Sequence, residues 1–254
     1  REGHSVRAAP ATGGGLQANW MDALAADGLA HIPGVLTAAE IAALVRALDG
    51  APLSESIRRK SGTYAIRNLL EVVPEIARLA TGPELRSIVE PVLGPKAFAV
   101  RGILFDKTPG ANWKVPLHQD LTIAVVRRIE LPGFGPWSLK AGTLHVQPPA
   151  EVLERMLSVR LHLDECDTLN GPLRVIYRTH LQGRLTSSAI DVLRRSGKIT
   201  ECMAAAGDAL VMRPLLVHAS SLSRRPGHRR VVHLDFAAGP LPGGLEWALS
   251  ALQG

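Results

Sequence analysis

From residue 98 onward the chain breaks into short apolar runs separated by Gly, Pro and Asn, and this texture constrains the fold more than any other feature. The runs fall at 98–105, 117–125, 143–147, 158–163, 173–176, 209–212, 215–218 and 230–236. Regularly spaced short strands predict a barrel or jelly roll rather than alternating parallel β-α units. A helical lead precedes them. Thr37-Ala-Ala-Glu40 spells a capping box, with Ile41, Leu44, Val45 and Leu48 behind it at helical spacing and Gly50 as the stop. Further helices are expected over 20–26, 74–80 and 83–93, and a strand and turn over 31–35. The expected fold class is mainly β with a helical lead. A chain of 254 residues suits a flexible N-terminal tail over 1–15 and one domain over 16–254.

Charge narrows the partners. Lys and Arg total 29 against 23 Asp and Glu, a net charge of +6. The basic groups at Arg58-Arg59-Lys60, Arg127-Arg128, Arg194-Arg195, Arg224-Arg225 and Arg229-Arg230 are scattered rather than striped. With four Trp, four Phe and two Tyr there is little to stack on bases, so no nucleic-acid partner is expected. A pocket for a small anion accounts for the charge equally well. The uncharged stretch 8–21 is interrupted by Pro10, Thr12 and three consecutive glycines, so no membrane partner is expected; no apolar segment suited to a leader follows Arg1 and Arg7. Cys166 and Cys202 are too few for a disulfide framework, which points to a reducing, cytoplasmic location. A Gly-rich phosphate loop and a Gly-x-Ser-x-Gly elbow are both missing from the sequence.

Among nine histidines, three begin a His-x-Asp triplet: His118-Gln-Asp120, His162-Leu-Asp164 and His233-Leu-Asp235. On a strand, residues i and i+2 share a face, so each triplet offers an imidazole and a carboxylate together. Two His and one carboxylate leave other metal positions open, the arrangement of non-haem Fe(II) oxygenases. His218 supplies a third ligand and has Arg229 eleven residues later, placed to return into the same cavity and clamp a carboxylate; Ser220 shares the strand face of His218. His180 has Asp191 at that spacing instead. His118 and Asp120, just after the loop 108–112, are the favoured partners of His218. His162 and Asp164 stay open as structural or supporting residues, and His233 and Asp235 read as packed barrel wall.

Pro116-Leu-His-Gln-Asp-Leu121, Leu169-Asn-Gly-Pro-Leu-Arg-Val-Ile176 and His218-Ala-Ser with Arg229 together resemble the phytanoyl-CoA dioxygenase family. Lys107-Thr-Pro, Trp113, Val159-Arg-Leu-His-Leu-Asp164 and Arg229-Arg-Val-Val-His233 are similar to a bacterial branch of it. The resemblance implies a cupin-like jelly roll, the double-stranded β-helix, and dependence on Fe(II), 2-oxoglutarate and O2. It further implies His118, Asp120 and His218 as iron ligands, and Arg229 with Ser220 on the C5 carboxylate of 2-oxoglutarate. Asp120 favours hydroxylation over halogenation, since related halogenases carry a small residue there. Tyr177-Arg-Thr-His180 departs from the family's Pro-Gly-Ser-His and bears on substrate choice.

The small-molecule substrate is expected to meet some of Lys107, Asn112, Trp113, Lys114, Trp137, Lys140, Arg160 and His162, with Gln147, Arg67 and Asn68 as further candidates. Their charge points to an anionic substrate. Two alternatives share the fold: a cupin-like non-catalytic binding protein, and a zinc-dependent hydrolase on the same ligands.

Overall fold

A computed structural model describes residues 15–51, 57–59, 63–225 and 227–249. The tail expected over 1–15 lies outside the described residues, apart from Gly15, which opens the first helix. In chain order the elements are α1 (Gly15–Asp27), β1 (Leu29–Ile32), α2 (Ala38–Asp49), β2 (Ile57–Arg59), β3 (Thr63–Ile66), α3 (Leu69–Val72), α4 (Pro74–Thr81) and α5 (Pro83–Leu93). Then follow β4 (Ala97–Asp106), β5 (Val115–His118), β6 (Ile123–Val125), β7 (Trp137–Lys140), β8 (Thr143–Val146), α6 (Ala150–Glu154) and β9 (Leu157–His162). The chain continues through β10 (Leu173–Ile176), α7 (Ser187–Ser196), β11 (Thr200–Cys202), β12 (Ala209–Met212), β13 (Val217–Ser220) and β14 (Arg230–Ala238).

The capping box forms as expected: the Thr37 side chain accepts from the Glu40 amide, and Glu40 reaches back to the Thr37 amide at 2.7 Å. Pro74 and Pro83 open α4 and α5, where a missing N–H costs nothing.

Seven strands form one antiparallel sheet in the order β1-β12-β9-β14-β4-β3-β2, and four form a second in the order β11-β10-β13-β5. A three-stranded β6-β8-β7 sheet is inserted after β5. This is the double-stranded β-helix, with helices covering the larger sheet. Strand alternation sorts the residues. Leu157, Val159 and Leu161 of β9 join Val232, Leu234 and Phe236 of β14 in a core that includes Leu69, Ile76, Leu85 and Ile88 from the helices. The intervening Ser158, Arg160 and His162, with His233 and Asp235, lie on the other face, buried and polar. That face lines the barrel.

Two expected strands shift. The run 117–125 divides into β5 and β6, because Gln119 and Asp120 leave the ladder: the Asp120 amide donates to Pro214 O at 3.0 Å. The run 215–218 becomes β13 at 217–220, since Leu216 still donates to Arg213 O in the preceding turn. Elements absent from the expectation are short or bury no residue fully. β7 turns into β8 through Ala141 and Gly142, both at positive φ, and α7 buries no residue.

Arg178 stands where the resembling family has glycine and adopts φ 68°, the left-handed region. Neighbouring contacts hold it there: its amide donates to Asp27 O at 2.9 Å, and Thr179 Oγ1 donates to Ile176 O while accepting from the Val217 amide, both at 2.8 Å. A side-chain-bearing residue pays roughly 1–2 kcal/mol for this conformation, partly offset by the greater unfolded-state freedom of glycine. Arg178→Gly is therefore expected to raise stability by about 0.5–1 kcal/mol, read as a higher urea midpoint with unchanged m.

Candidate metal centre and active site

β5 and β13 lie side by side with His118 and His218 as direct cross-strand partners. Their rings are 4.2 Å apart between centroids. His118 Nδ1 donates to Pro116 O and His218 Nδ1 to Leu216 O, each at 2.9 Å. A carbonyl only accepts, so each proton sits on Nδ1 and each Nε2 presents a lone pair. Asp120 completes the group, with its carboxylate oxygens 3.7 Å from His118 Nε2 and 3.6 Å from His218 Nε2. The three ligand atoms lie within 4.8 Å of one another. Gln119, between His118 and Asp120, points away: it donates to Gly183 O at 2.8 Å and Leu215 O at 2.7 Å, and accepts from the Leu185 amide at 2.8 Å. This anchors the backbone that aims Asp120.

Burial pushes His218 down to about 4 despite the nearby Asp120 carboxylate. Burial opposes ionisation of Asp120, but His218, His233 and Arg101 together hold its carboxyl below the ordinary value. At neutral pH the site holds a neutral buried imidazole beside an ionised carboxylate. Those are the protonation states that metal binding requires.

The group opens onto a cavity of about 210 Å³. Arg229, Ser220, Trp113, Arg101, Arg160 and His233 line it, together with Phe105, Val115, Leu173 and Ala219. Lys107, fully buried, donates to Ser220 Oγ at 3.2 Å and to Ser221 O. Arg229 donates through Nη1 to Gly171 O, and its amide to Asp106 Oδ1 at 3.0 Å. Gly171 has φ 74°, and a Cβ on it would meet Ser221 O at 2.5 Å and Lys107 Nζ at 3.0 Å. The Asn170-Gly171 turn is thus part of the site's wall.

Of the residues expected near substrate, Trp113 and Arg160 line the cavity, and Lys107 backs it through Ser220. The others do not line it. Asn112 uses its amide on Ser223, donating to its carbonyl and accepting from its N–H, each at 2.8 Å. Lys114 points to solvent. Trp137 packs in the satellite core with Val146 and Leu153, beneath the Arg128 guanidinium. Lys140 donates to Thr122 Oγ1 at 3.1 Å in a separate cleft that also holds Arg67 and Asn68, and Gln147 accepts from Arg184 at 2.8 Å. Neighbourhood in sequence misled here, because the inserted sheet carries its residues outward.

His162 lies in the barrel wall, 1 % exposed and away from the metal group, with both ring nitrogens unpartnered. Asp164 instead takes Arg230, Nε to Oδ2 at 2.8 Å and Nη2 to Oδ1 at 2.7 Å. His233, read as packed wall, is buried but lines the cavity. Arg101 and Phe105 fall on the same side of β4, four residues apart, a period-two signal that could have placed them on the cavity face. The 177–180 segment does not line the cavity either; His180 Nε2 meets Ala25 O of α1 at 3.2 Å. Its departure from the family pattern therefore bears on packing rather than on the cavity's lining.

The family profile described as Phytanoyl-CoA dioxygenase (PhyH) matches residues 24–231. The chain belongs to the phytanoyl-CoA dioxygenase family. It is accordingly an Fe(II)- and 2-oxoglutarate-dependent enzyme that uses O2, which sets aside the non-catalytic and zinc-hydrolase alternatives. Solved structures of similar fold include EctD from S. alaskensis with 2-oxoglutarate and 5-hydroxyectoine, at 20% identity and TM-score 0.67, covering 87% of this chain and 76% of that one. The non-haem α-ketoglutarate-dependent epimerase SnoN from nogalamycin biosynthesis matches at 17% identity and TM-score 0.66, with 89% and 82% covered. The carbocyclase SnoK from the same biosynthesis matches at 17% identity and TM-score 0.67, with 97% and 93% covered. A comparison with curated protein sequences gives no match. Among the described residues no helix is long and apolar enough to cross a membrane.

Proposed function

We propose that this phytanoyl-CoA dioxygenase family member hydroxylates an unactivated C–H bond of a small anionic organic substrate, with His118, Asp120 and His218 as the iron ligands. The observation that carries this reading is the convergence of two Nδ1-anchored imidazoles and one carboxylate on a cavity that also receives Arg229. Two nitrogens and one carboxylate oxygen are a donor set suited to Fe(II). Bound iron, with 2-oxoglutarate and O2, supplies the oxidant that removes hydrogen from carbon. The chain's own residues position the reactants. Arg229 and Ser220 hold the C5 carboxylate of 2-oxoglutarate, and Lys107, beside Ser220, adds a cation to the same end. Phe105, Val115 and Leu173 give the cavity an apolar part of its lining. A cytoplasmic location fits the two buried free cysteines.

Mixing protein, Fe(II) and 2-oxoglutarate without oxygen is expected to produce a weak visible charge-transfer band, with succinate formed once O2 is admitted. Confirmed iron binding without that band defeats the proposal. Hydroxylation itself is read by mass spectrometry of product formed under labelled O2: a product without the label excludes it.

Lys107 makes the cosubstrate site pH-sensitive. Burial, reinforced by Arg229, pushes its ammonium down to about 7. A bound dianion favours the charged form and raises that value again. Binding therefore takes up a proton above pH 7, and affinity is expected to fall as pH rises, by up to about tenfold per unit. Below pH 7 the dependence vanishes. Calorimetric titration of 2-oxoglutarate into the metal-loaded protein from pH 6 to 9 checks this. Lys107→Met should bind more weakly with a flat profile over that range.

A further inference from the structure

Lys140 and Arg67 miss the metal cavity, yet both line one cleft between β4 and the inserted sheet. None of Arg229, Ser220 and Lys107 lines that cleft. Arg101 lines the cleft and the cavity alike, so the two hollows share a wall.

Thr122 ties the cleft to the metal group. It stands two residues after Asp120, at most about 7 Å of backbone. Its carbonyl accepts from Arg101 Nη1 at 3.5 Å and its Oγ1 from Lys140 Nζ at 3.1 Å. The Lys140 ammonium is close enough to Asp120 to feel its charge.

Backbone outliers hold the two cations in place. Each is followed by a residue in the left-handed region: Asn68 after Arg67 at φ 55°, and Ala141 after Lys140 at φ 49°. Among the described residues other than glycine, Arg178 alone shares that conformation. Asn68 Nδ2 joins the two turns, donating to Ala141 O at 3.4 Å and to Thr143 Oγ1 at 3.2 Å. Strain of this kind persists where surrounding contacts enforce it, and it gathers at binding sites.

The charges in the cleft call for an anion. Arg101 is answered by Asp235, with Nε 2.9 Å from Oδ2. Among the described residues Lys140 bonds no carboxylate, and Thr122 occupies one of its three donors. Burial first, then Arg101 and Arg67, push the ammonium below its ordinary value, against the pull of Asp120. A neighbouring negative charge reverses that cost. Glu71 is the carboxylate on the cleft's wall, but it is exposed and screened by solvent. Buried His145 is pushed down to about 4 and is neutral at pH 7. The cleft is narrow, about 20 Å³, against about 210 Å³ for the cavity. A water needs about 10–15 Å³, so the cleft admits a small end group and not a whole molecule.

We propose that Lys140, with Arg67 beside it, binds a carboxylate end of the primary substrate in this cleft, while the rest of the molecule passes Arg101 into the metal cavity. The proposal rests on the dioxygenase reading of that cavity. Thr122 and Asn68 are positioning residues: one orients the Lys140 ammonium, and the other locks the turns that present both cations.

The test uses protein loaded with Zn(II), which supports no turnover, and saturated with 2-oxoglutarate, so that the cosubstrate site is filled. Butanoate, hexanoate and phenylacetate are compared with their amides by saturation-transfer NMR. At least one acid should bind and its amide should not. Lys140→Met should weaken that acid about tenfold or more, and Lys140→Arg, which keeps the charge, less than about threefold. Both variants should hold 2-oxoglutarate within about threefold of the parent protein. If the methionine variant does not fold, the parent protein decides: the acid, and not its amide, should shield Lys140 from acetic anhydride, read by peptide mass spectrometry. The proposal is overturned if no acid binds, if amides match acids, if Lys140→Met binds the acid unchanged, if the acid leaves Lys140 unshielded, or if Lys140→Met loses 2-oxoglutarate together with the acid. A parent protein that fails to bind 2-oxoglutarate overturns the dioxygenase reading instead, a result distinct from loss of the acid on an intact cosubstrate site.

Discussion

His218→Ala is expected to eliminate iron binding and, with it, all 2-oxoglutarate turnover. The imidazole is 5 % exposed and its Nε2 faces Asp120 at 3.6 Å, so alanine leaves two ligands and a gap in the wall. Changes to groups that merely orient ligands typically cost 10–100-fold in metal affinity, so loss of a ligand should exceed about a hundredfold. His118→Ala should behave alike, by anaerobic Fe(II) titration and by succinate release. His162→Leu is the informative contrast. That imidazole touches no ligand, has no hydrogen-bond partner at either nitrogen, and is driven to about 3 by burial and by Arg160. An apolar side chain there removes two unsatisfied polar atoms, so iron affinity should hold and stability should not fall. Iron binding lost in His162→Leu but kept in His118→Ala would refute the ligand assignment.

Arg229→Leu is expected to weaken 2-oxoglutarate by at least about a hundredfold, near 3 kcal/mol, while leaving iron affinity unchanged. The guanidinium is 2 % exposed and held by Gly171 O, so its charge is aimed before the cosubstrate arrives. Its removal leaves Ser220 and Lys107 to face a carboxylate without a bidentate partner. The effect should appear in KM for 2-oxoglutarate, with metal titrations superimposable on those of the parent protein. Equal losses in iron and cosubstrate binding would mean that Arg229 supports the metal end instead.

These expectations divide between what could be read along the chain and what required folding. The capping box of α2, the prolines that open α4 and α5, and the strands at 98–105, 158–163 and 230–236 rest on local chemistry, and the fold places them within a residue or two. The splitting of 117–125 was hidden because nothing local tells Asp120 to bond with Pro214, nearly a hundred residues away. Likewise Asn112, Trp137 and Lys140 look close to the metal strand in sequence, yet Ser223, the satellite core and Thr122 claim their side chains.

By itself the sequence determined the class of chemistry. Three His-x-Asp triplets, a fourth histidine with arginine eleven residues on, and alternating short strands describe a β-barrel with a mononuclear metal and an anion clamp. Tertiary structure decided which triplet meets His218. Strand pairing sets His118 against His218, whereas His162 faces Val231 and His233 faces Arg160 across the larger sheet. Each triplet offers the same two donors locally, so no residue-level preference separates them. The separation comes from long-range register, which places one imidazole pair 4.2 Å apart and leaves the other two histidines in the wall.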